Sequence, residues 1–304
     1  MNAAMVDGTS SPPFRLGAAA GPGPVLRRIR LPGDGEPVEL AVADWEGPAG
    51  VPALLCIPGF TRTGRDFEEL ARALAGRRRV LCPDLAGRGE SARLGEPRGY
   101  RMQAYATHLR QLLAALGLGE VGVLGISMGG LLAMALAADR DLAVRELVLV
   151  DIGPSVPRPA FELLDLYLAS ERRFPGFEPL LAHVKRYFAA CALGSELAWR
   201  LFALRGARRL PDGGYAMDYD PAIRLPFRAD FAGMAQAWPA YERIAARTLV
   251  LRGAQSHVLP ADVAAAMTER GPRARLATIA GTGHWPALMK PEETALVAEF
   301  LAGG

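Results

Sequence analysis

The chain of 304 residues has three cysteines, Cys56, Cys82 and Cys191, at spacings that suggest no pairing. So low and odd a count argues against a disulfide framework. Cys56 and Cys82 fall inside apolar runs and read as small core residues, not nucleophiles. No apolar stretch reaches the roughly 18 residues that span a bilayer, so no membrane partner is expected. Residues 1–24 are rich in Ala, Gly, Pro and Ser but lack a basic segment followed by a continuous apolar one. That pattern is not a secretory leader; it predicts a flexible tail and a cytoplasmic chain. The net charge is only +3, and the arginine clusters at 77–79, 172–173 and 208–209 are short. They read as solvated loops and helix ends, so no nucleic-acid partner is expected. An H-E-x-x-H pair, a P-loop Lys-Ser/Thr and a dinucleotide fingerprint are all missing, and the reading requires no metal and no cofactor.

What is present is an alternation of apolar runs with helical patterns, which predicts a mainly parallel sheet covered by helices on both faces. Residues 25–31 and 37–45 read as an opening antiparallel pair joined by Pro32-Gly33-Asp34-Gly35. Further strands are expected at 51–57, 79–82, 121–124, 147–150, 248–252 and 274–279. Helices are expected at 65–75, 100–116, 261–270 and 291–301, the second stopped by Gly117. Between 155 and 243 the alternation breaks. That stretch contains no convincing strand, is helical or irregular, and carries many aromatics, among them Phe161, Tyr167, Phe188, Phe202 and Phe227. It reads as a helical lid set over a core made of residues 25–154 and 244–304.

The strongest local signal is Gly125-Ile126-Ser127-Met128-Gly129, which lies between the apolar run 121–124 and the helical run 131–137. A G-x-S-x-G in that context is a sharp strand-to-helix turn that lifts the serine hydroxyl clear of the sheet. Glycines on both sides remove side chains that would clash with the neighbouring strand and helix. A serine hydroxyl is a weak nucleophile until a base takes its proton, so one of the four histidines must reach it. His108 falls mid-helix and His183 within the lid; both read as structural or solvated. His257 and His284 lie in loops after predicted strands.

Together Pro58-Gly59-Phe60, Asp84 to Ser91, the Ser127 elbow and Gly281-Thr282-Gly283-His284 make the chain resemble the α/β-hydrolases from about residue 25 to 301. Within that family it looks most like the lidded ester and carbon–carbon bond hydrolases. The resemblance implies an α/β-hydrolase fold, an eight-stranded, mostly parallel sheet with a helical lid after strand 6. It implies His284 as the base. It also implies an oxyanion hole from the backbone N–H groups of Phe60 and Met128, whose side chains would wall a substrate pocket with Trp285. The turn from Asp84 to Ser91 is expected to be held by glycines and local hydrogen bonds, with no catalytic role.

The acid is the open point. The family's usual acid loop corresponds to residues 253–260, where Ser256 and His257 stand in the acid positions and no carboxylate is present. Some branches supply the acid from the strand after the elbow, which here ends in Asp151; Asp151 is therefore the expected acid. Asp262 is a weaker candidate, placed where a helix N-terminus favours a carboxylate anyway, and Asp218 and Asp220 read as lid loop residues. The reading is a serine hydrolase that cleaves a small carboxylic ester or related acyl compound through an acyl-enzyme. Carbon–carbon bond and lactone hydrolysis stay open on the same residues. So does a non-catalytic ligand-binding scaffold, supported by the empty acid slot. The oligomeric state is left open.

Overall fold

The computed structural model describes residues 23–32, 37–227 and 236–303. The expected tail therefore lies almost wholly outside the described residues, as do Gly33, Asp34 and Gly35 of the first turn and residues 228–235 of the expected lid.

The chain opens with β1 (Val25–Leu31), antiparallel to β2 (Val38–Trp45), with Leu31 opposite Val38. In β2, Val38, Leu40 and Val42 point inward at alternate positions, as a strand with one solvated face requires. β3 (Ala53–Ile57) is buried at every position, the pattern of a strand covered on both faces. A 3₁₀ turn, Gly64–Phe67, runs into α1 (Glu68–Ala73), so the helix expected over 65–75 starts as a tighter coil. There the Gly64 amide donates to Asp84 Oδ1 at 2.8 Å. β4 (Val80–Pro83) follows, then α2 (Met102–Ala115). Gly117, at φ +67°, ends α2, with Leu118 N donating back to Leu113 O at 2.9 Å.

Next come β5 (Glu120–Ile126), α3 (Met128–Ala137) and β6 (Ala143–Val150). The chain then leaves the sheet through α4 (Arg158–Leu168), β7 (Arg173–Phe174), α5 (Phe177–Phe188), α6 (Glu196–Arg205), β8 (Ala207–Arg209), β9 (Tyr215–Met217) and the short α7 (Trp238–Tyr241). It returns as β10 (Arg247–Gly253), α8 (Ala261–Glu269), β11 (Arg275–Ile279) and α9 (Pro291–Leu301). Eight strands form one sheet in the order β1-β2-β4-β3-β5-β6-β10-β11, in which β2 is antiparallel to its neighbours and the strands from β4 to β11 are parallel.

One expectation is corrected here. The excursion is not free of strands: β7, β9 and β8 make a small antiparallel sheet, with Phe174 opposite Tyr215 and Arg208 opposite Ala216. Strands of two or three residues are too short to show an alternating pattern. They pair because the turn at 210–214 folds back, Leu210 N reaching Gly214 O at 2.8 Å.

The excursion is fastened to the core by buried polar contacts. Arg62 donates to Phe202 O at 2.8 Å and Thr63 Oγ1 to Arg205 O at 2.9 Å, so both serve carbonyls at the C-terminal end of α6. Arg205, itself buried, reaches Glu69 at 2.7 Å and Glu68 at 3.0 Å on α1. Among the described residues no helix is long and apolar enough to cross a membrane.

Candidate active site

Register places the site. In the parallel strands Ile57 lies opposite Gly125, Ile126 opposite Val150, and Val150 opposite Leu251. The segments that follow β3, β5, β6 and β10 therefore leave the sheet side by side at its carboxyl edge, where open α/β sheets bind ligands. Ser127 N donates to Val150 O at 3.1 Å and Asp151 N to Leu251 O at 2.7 Å, carrying the ladder one residue past the strands.

Ser127 sits between β5 and α3 with φ 53° and ψ −120°, a conformation costing a non-glycine residue about 1–3 kcal/mol. The flanking glycines make the turn possible. A Cβ on Gly125 would come within 2.2 Å of Gly129 O, and one on Gly129 within 2.1 Å of Ile57 O. Asp151 is a second non-glycine residue at positive φ, 51°.

The structure brings Ser127, His284 and Asp151 together. His284 Nε2 lies 3.0 Å from Ser127 Oγ, and Nδ1 lies 2.7 Å from Asp151 Oδ2. Asp151 is fully buried, and its Oδ1 accepts the Gly253 amide at 2.8 Å. Its Oδ2 also accepts Ser256 Oγ–H at 2.5 Å, while Ser256 Oγ accepts the amides of Val258 at 3.1 Å and Leu259 at 3.0 Å. The loop that holds no carboxylate thus orients the one supplied by β6. Sequence reasoning noted Ser256 only as a missing acid; its hydroxyl as a donor across 105 residues left no local signal.

His257 does not join this relay. Its ring centroid stands 6.0 Å from that of His284, edge to face. Desolvation, and then the nearby His284, hold its pKa below the usual histidine value against the pull of Asp151. The other candidates lie elsewhere. Asp262 is in the first turn of α8, Asp218 pairs with Arg93 at 2.8 Å, and Asp220 caps the turn Pro221–Ile223. His108 is buried on α2 and His183 packs on Phe174 within the excursion. Cys191 is buried 3.8 Å from His284 O, and burial pushes its thiol up to about 12, so it is no competing nucleophile near neutrality.

Beside the elbow, a Cβ on Gly59 would stand 3.9 Å from Ser127 Cβ, so the turn that carries Phe60 abuts the serine. Met128 begins α3, where the first N–H groups have no partner within the helix. The side chains of Phe60, Met128 and Trp285 are all buried. Phe60 meets Phe227 at 4.9 Å between ring centroids, and Phe227 meets Phe161 at 5.8 Å. Trp285 meets Phe188 at 5.6 Å and Phe202 at 6.2 Å. Both groups join the excursion to loops flanking Ser127 and His284.

Comparison with known proteins bears on the family and the fold. The family profile described as alpha/beta hydrolase fold matches residues 52–291. A 3-hydroxybutyrate-oligomer hydrolase of Cupriavidus necator is 37% identical, over 87% of this chain and 93% of its own. A 2-hydroxymuconate semialdehyde hydrolase of Pseudomonas sp. (strain CF600) is 28% identical, over 75% of this chain and 78% of its own. The crystal structure of an alpha/beta hydrolase from Novosphingobium aromaticivorans superposes with a TM-score of 0.82 at 33% identity, covering 91% of this chain and 98% of the other.

Proposed function

The chain belongs to the α/β-hydrolase fold family, and on that premise we propose that it is a serine hydrolase that cleaves small carboxylic esters through an acyl-enzyme. The observation that carries the reading is the His284 ring, hydrogen-bonded at one nitrogen to Ser127 Oγ and at the other to Asp151. His284 accepts the Ser127 proton as the hydroxyl attacks the ester carbonyl, then gives it to the leaving alcohol. Asp151 holds the ring in the tautomer that exposes Nε2 to the serine and favours the imidazolium that forms. The oxyanion is received by the backbone N–H groups of Phe60 and Met128. A water activated by His284 then releases the acid. The excursion serves as a lid, and Phe60, Met128 and Trp285 wall the pocket beneath it.

The Cupriavidus relative suggests which ester to try first, one between short hydroxy acids. The test is turnover of a hydroxybutyrate dimer and of p-nitrophenyl butyrate, with mass spectrometry of the enzyme after a fluorophosphonate. Esterase activity with a single adduct on Ser127, both lost in Ser127→Ala, supports the reading. Turnover of a vinylogous diketone without turnover of either ester would shift it to carbon–carbon cleavage, the alternative open on the same residues. A folded protein that neither turns over nor takes the label would instead be a binding scaffold.

A further inference from the structure

The turn from Asp84 to Ser91 contains a charged group that the proposed mechanism leaves unused. Arg88 is fully buried. Its Nε donates to Phe60 O at 2.8 Å and its Nη1 to Ala86 O at 2.8 Å and to the Tyr105 hydroxyl. The guanidinium lies 5.2 Å from the Phe60 ring centroid and 4.8 Å from that of Tyr105, and among the described residues its Nη2 finds no hydrogen-bond partner. Among the described residues its hydrogen bonds all go to neutral groups. A buried cation of this kind is a poor stabiliser of a fold, since an apolar side chain of similar volume packs there at lower cost.

Its partner explains where it acts. Arg62 N donates to Gly59 O at 3.1 Å, closing a turn with Phe60 and Thr61 at its centre. The Phe60 N–H belongs to the first peptide of that turn, whose oxygen, Gly59 O, takes the Arg62 amide; the next peptide carries Phe60 O. The far side of the turn is anchored, because Arg62 is paired with Asp66 at 2.6 Å and bonded to Phe202 O. The near side continues from β3. Arg88 holds that second peptide by a charge-assisted hydrogen bond, so both peptides flanking Phe60 are pinned and the residue is kept from rotating about its own Cα.

We propose that Arg88 is a positioning residue for the oxyanion site, holding the Phe60 turn so that the Phe60 N–H stays aimed at the developing negative charge. This rests on the reading of Phe60 as an oxyanion donor beside Ser127. The backbone of Arg88 also bridges Tyr219 of the excursion, so the same residue ties the turn to the segment covering it.

The test compares wild type with Arg88→Met and Arg88→Lys on p-nitrophenyl butyrate, active sites being titrated with a fluorophosphonate. The inhibition constant of a trifluoromethyl ketone, which forms a tetrahedral adduct on serine, is measured alongside. In Arg88→Met, kcat per titrated site falls about 10²-fold, the low end for loss of an oxyanion donor, and ketone affinity falls by a similar factor. KM stays within about threefold, because the donor acts on the transition state. Arg88→Lys, which keeps the charge and one donor, recovers about a tenth of wild-type kcat. A merely structural arginine would lower the number of titratable sites and leave kcat and ketone affinity per site unchanged; that result overturns the proposal. Should Arg88→Met fail to fold, unchanged ketone affinity per site in Arg88→Lys overturns it equally. Ser127→Ala separates the two levels. If it stays active, both readings fall; if it is inactive while the Arg88 variants are normal per site, only this one does.

Discussion

The sheet and the excursion between β6 and β10 are held together by different means. In the sheet, positions follow from backbone register: once Ile57, Gly125, Val150 and Leu251 are aligned, the residues after them converge without further instruction. In the excursion, positions follow from side chains. Arg62, Thr63 and Arg205 clamp α6, and aromatic contacts such as Phe188 on Trp285 cover the His284 loop. The contrast separates two tasks. On the proposed function, groups that must hold geometry to tenths of an ångström stand on strand ends, and groups that would shape access stand on elements that can be altered without unmaking the sheet.

The contrast can be broken most directly at Asp151, which belongs to the sheet. Asp151→Asn is expected to lower kcat about 10⁴-fold while leaving the circular dichroism spectrum unchanged, because the ring loses its orienting acceptor. Steady-state kinetics on a short ester decide it, and near-normal turnover would remove Asp151 from the relay. The counterpart in the excursion is Arg205, whose carboxylate partners on α1 are themselves partly exposed. Arg205→Met should destabilise the fold by about 2–3 kcal/mol in urea titration and change kcat per active site little. A kcat loss rivalling that of Asp151→Asn would erase the distinction.

A third test uses pH. Burial, opposed by the amides of Glu90 and Gly64, raises Asp84 from an ordinary 3.8 to about 6. Between those values the folded chain keeps a proton that the unfolded chain has released. Stability contributed by this group is therefore highest below 3.8, falls as pH rises through the window, and is level above about 6. The drop amounts to about 3 kcal/mol, and Asp84→Asn should flatten that part of a stability-against-pH curve measured by chemical denaturation. At Ser256, which aids the relay from the acid-free loop, Ser256→Ala is expected to cost about tenfold in kcat, measured on the same ester. The smallest effect is at His257. His257→Ala should leave kcat within about twofold, since its ring touches no member of the relay by hydrogen bond and, with its pKa held low, carries little charge near neutrality. A loss as large as that of Asp151→Asn would put His257 in the acid's place.

Much of this was legible in the chain. The buried strands read as continuous apolar runs, and their ends were found to within a few residues. The elbow was legible because its glycines answer a local steric demand. The strands of the excursion were not, since β7, β8 and β9 are too short for any period and are made by their partners. At the acid position the chain showed only an absence at Ser256, with Asp151 as the expected substitute, and it is Asp151 whose carboxylate meets the His284 ring. Arg88 drew attention only as part of a glycine-rich turn, because its acceptor, Phe60 O, lies 28 residues away.

The sequence alone settled what local chemistry controls: which segments of the core are strands and helices, that a serine stands on a strand-to-helix turn, and that the expected acid loop has no carboxylate. Those follow from steric and hydrophobic patterns a few residues long. Only the tertiary structure decided which groups meet. The approach of His284 to both Ser127 and Asp151, the turning of Ser256 toward that same carboxylate, and the seat of Arg88 under Phe60 are long-range contacts. They are set by strand register and by the cost of leaving a buried polar group without a partner, and neither is written in neighbouring residues.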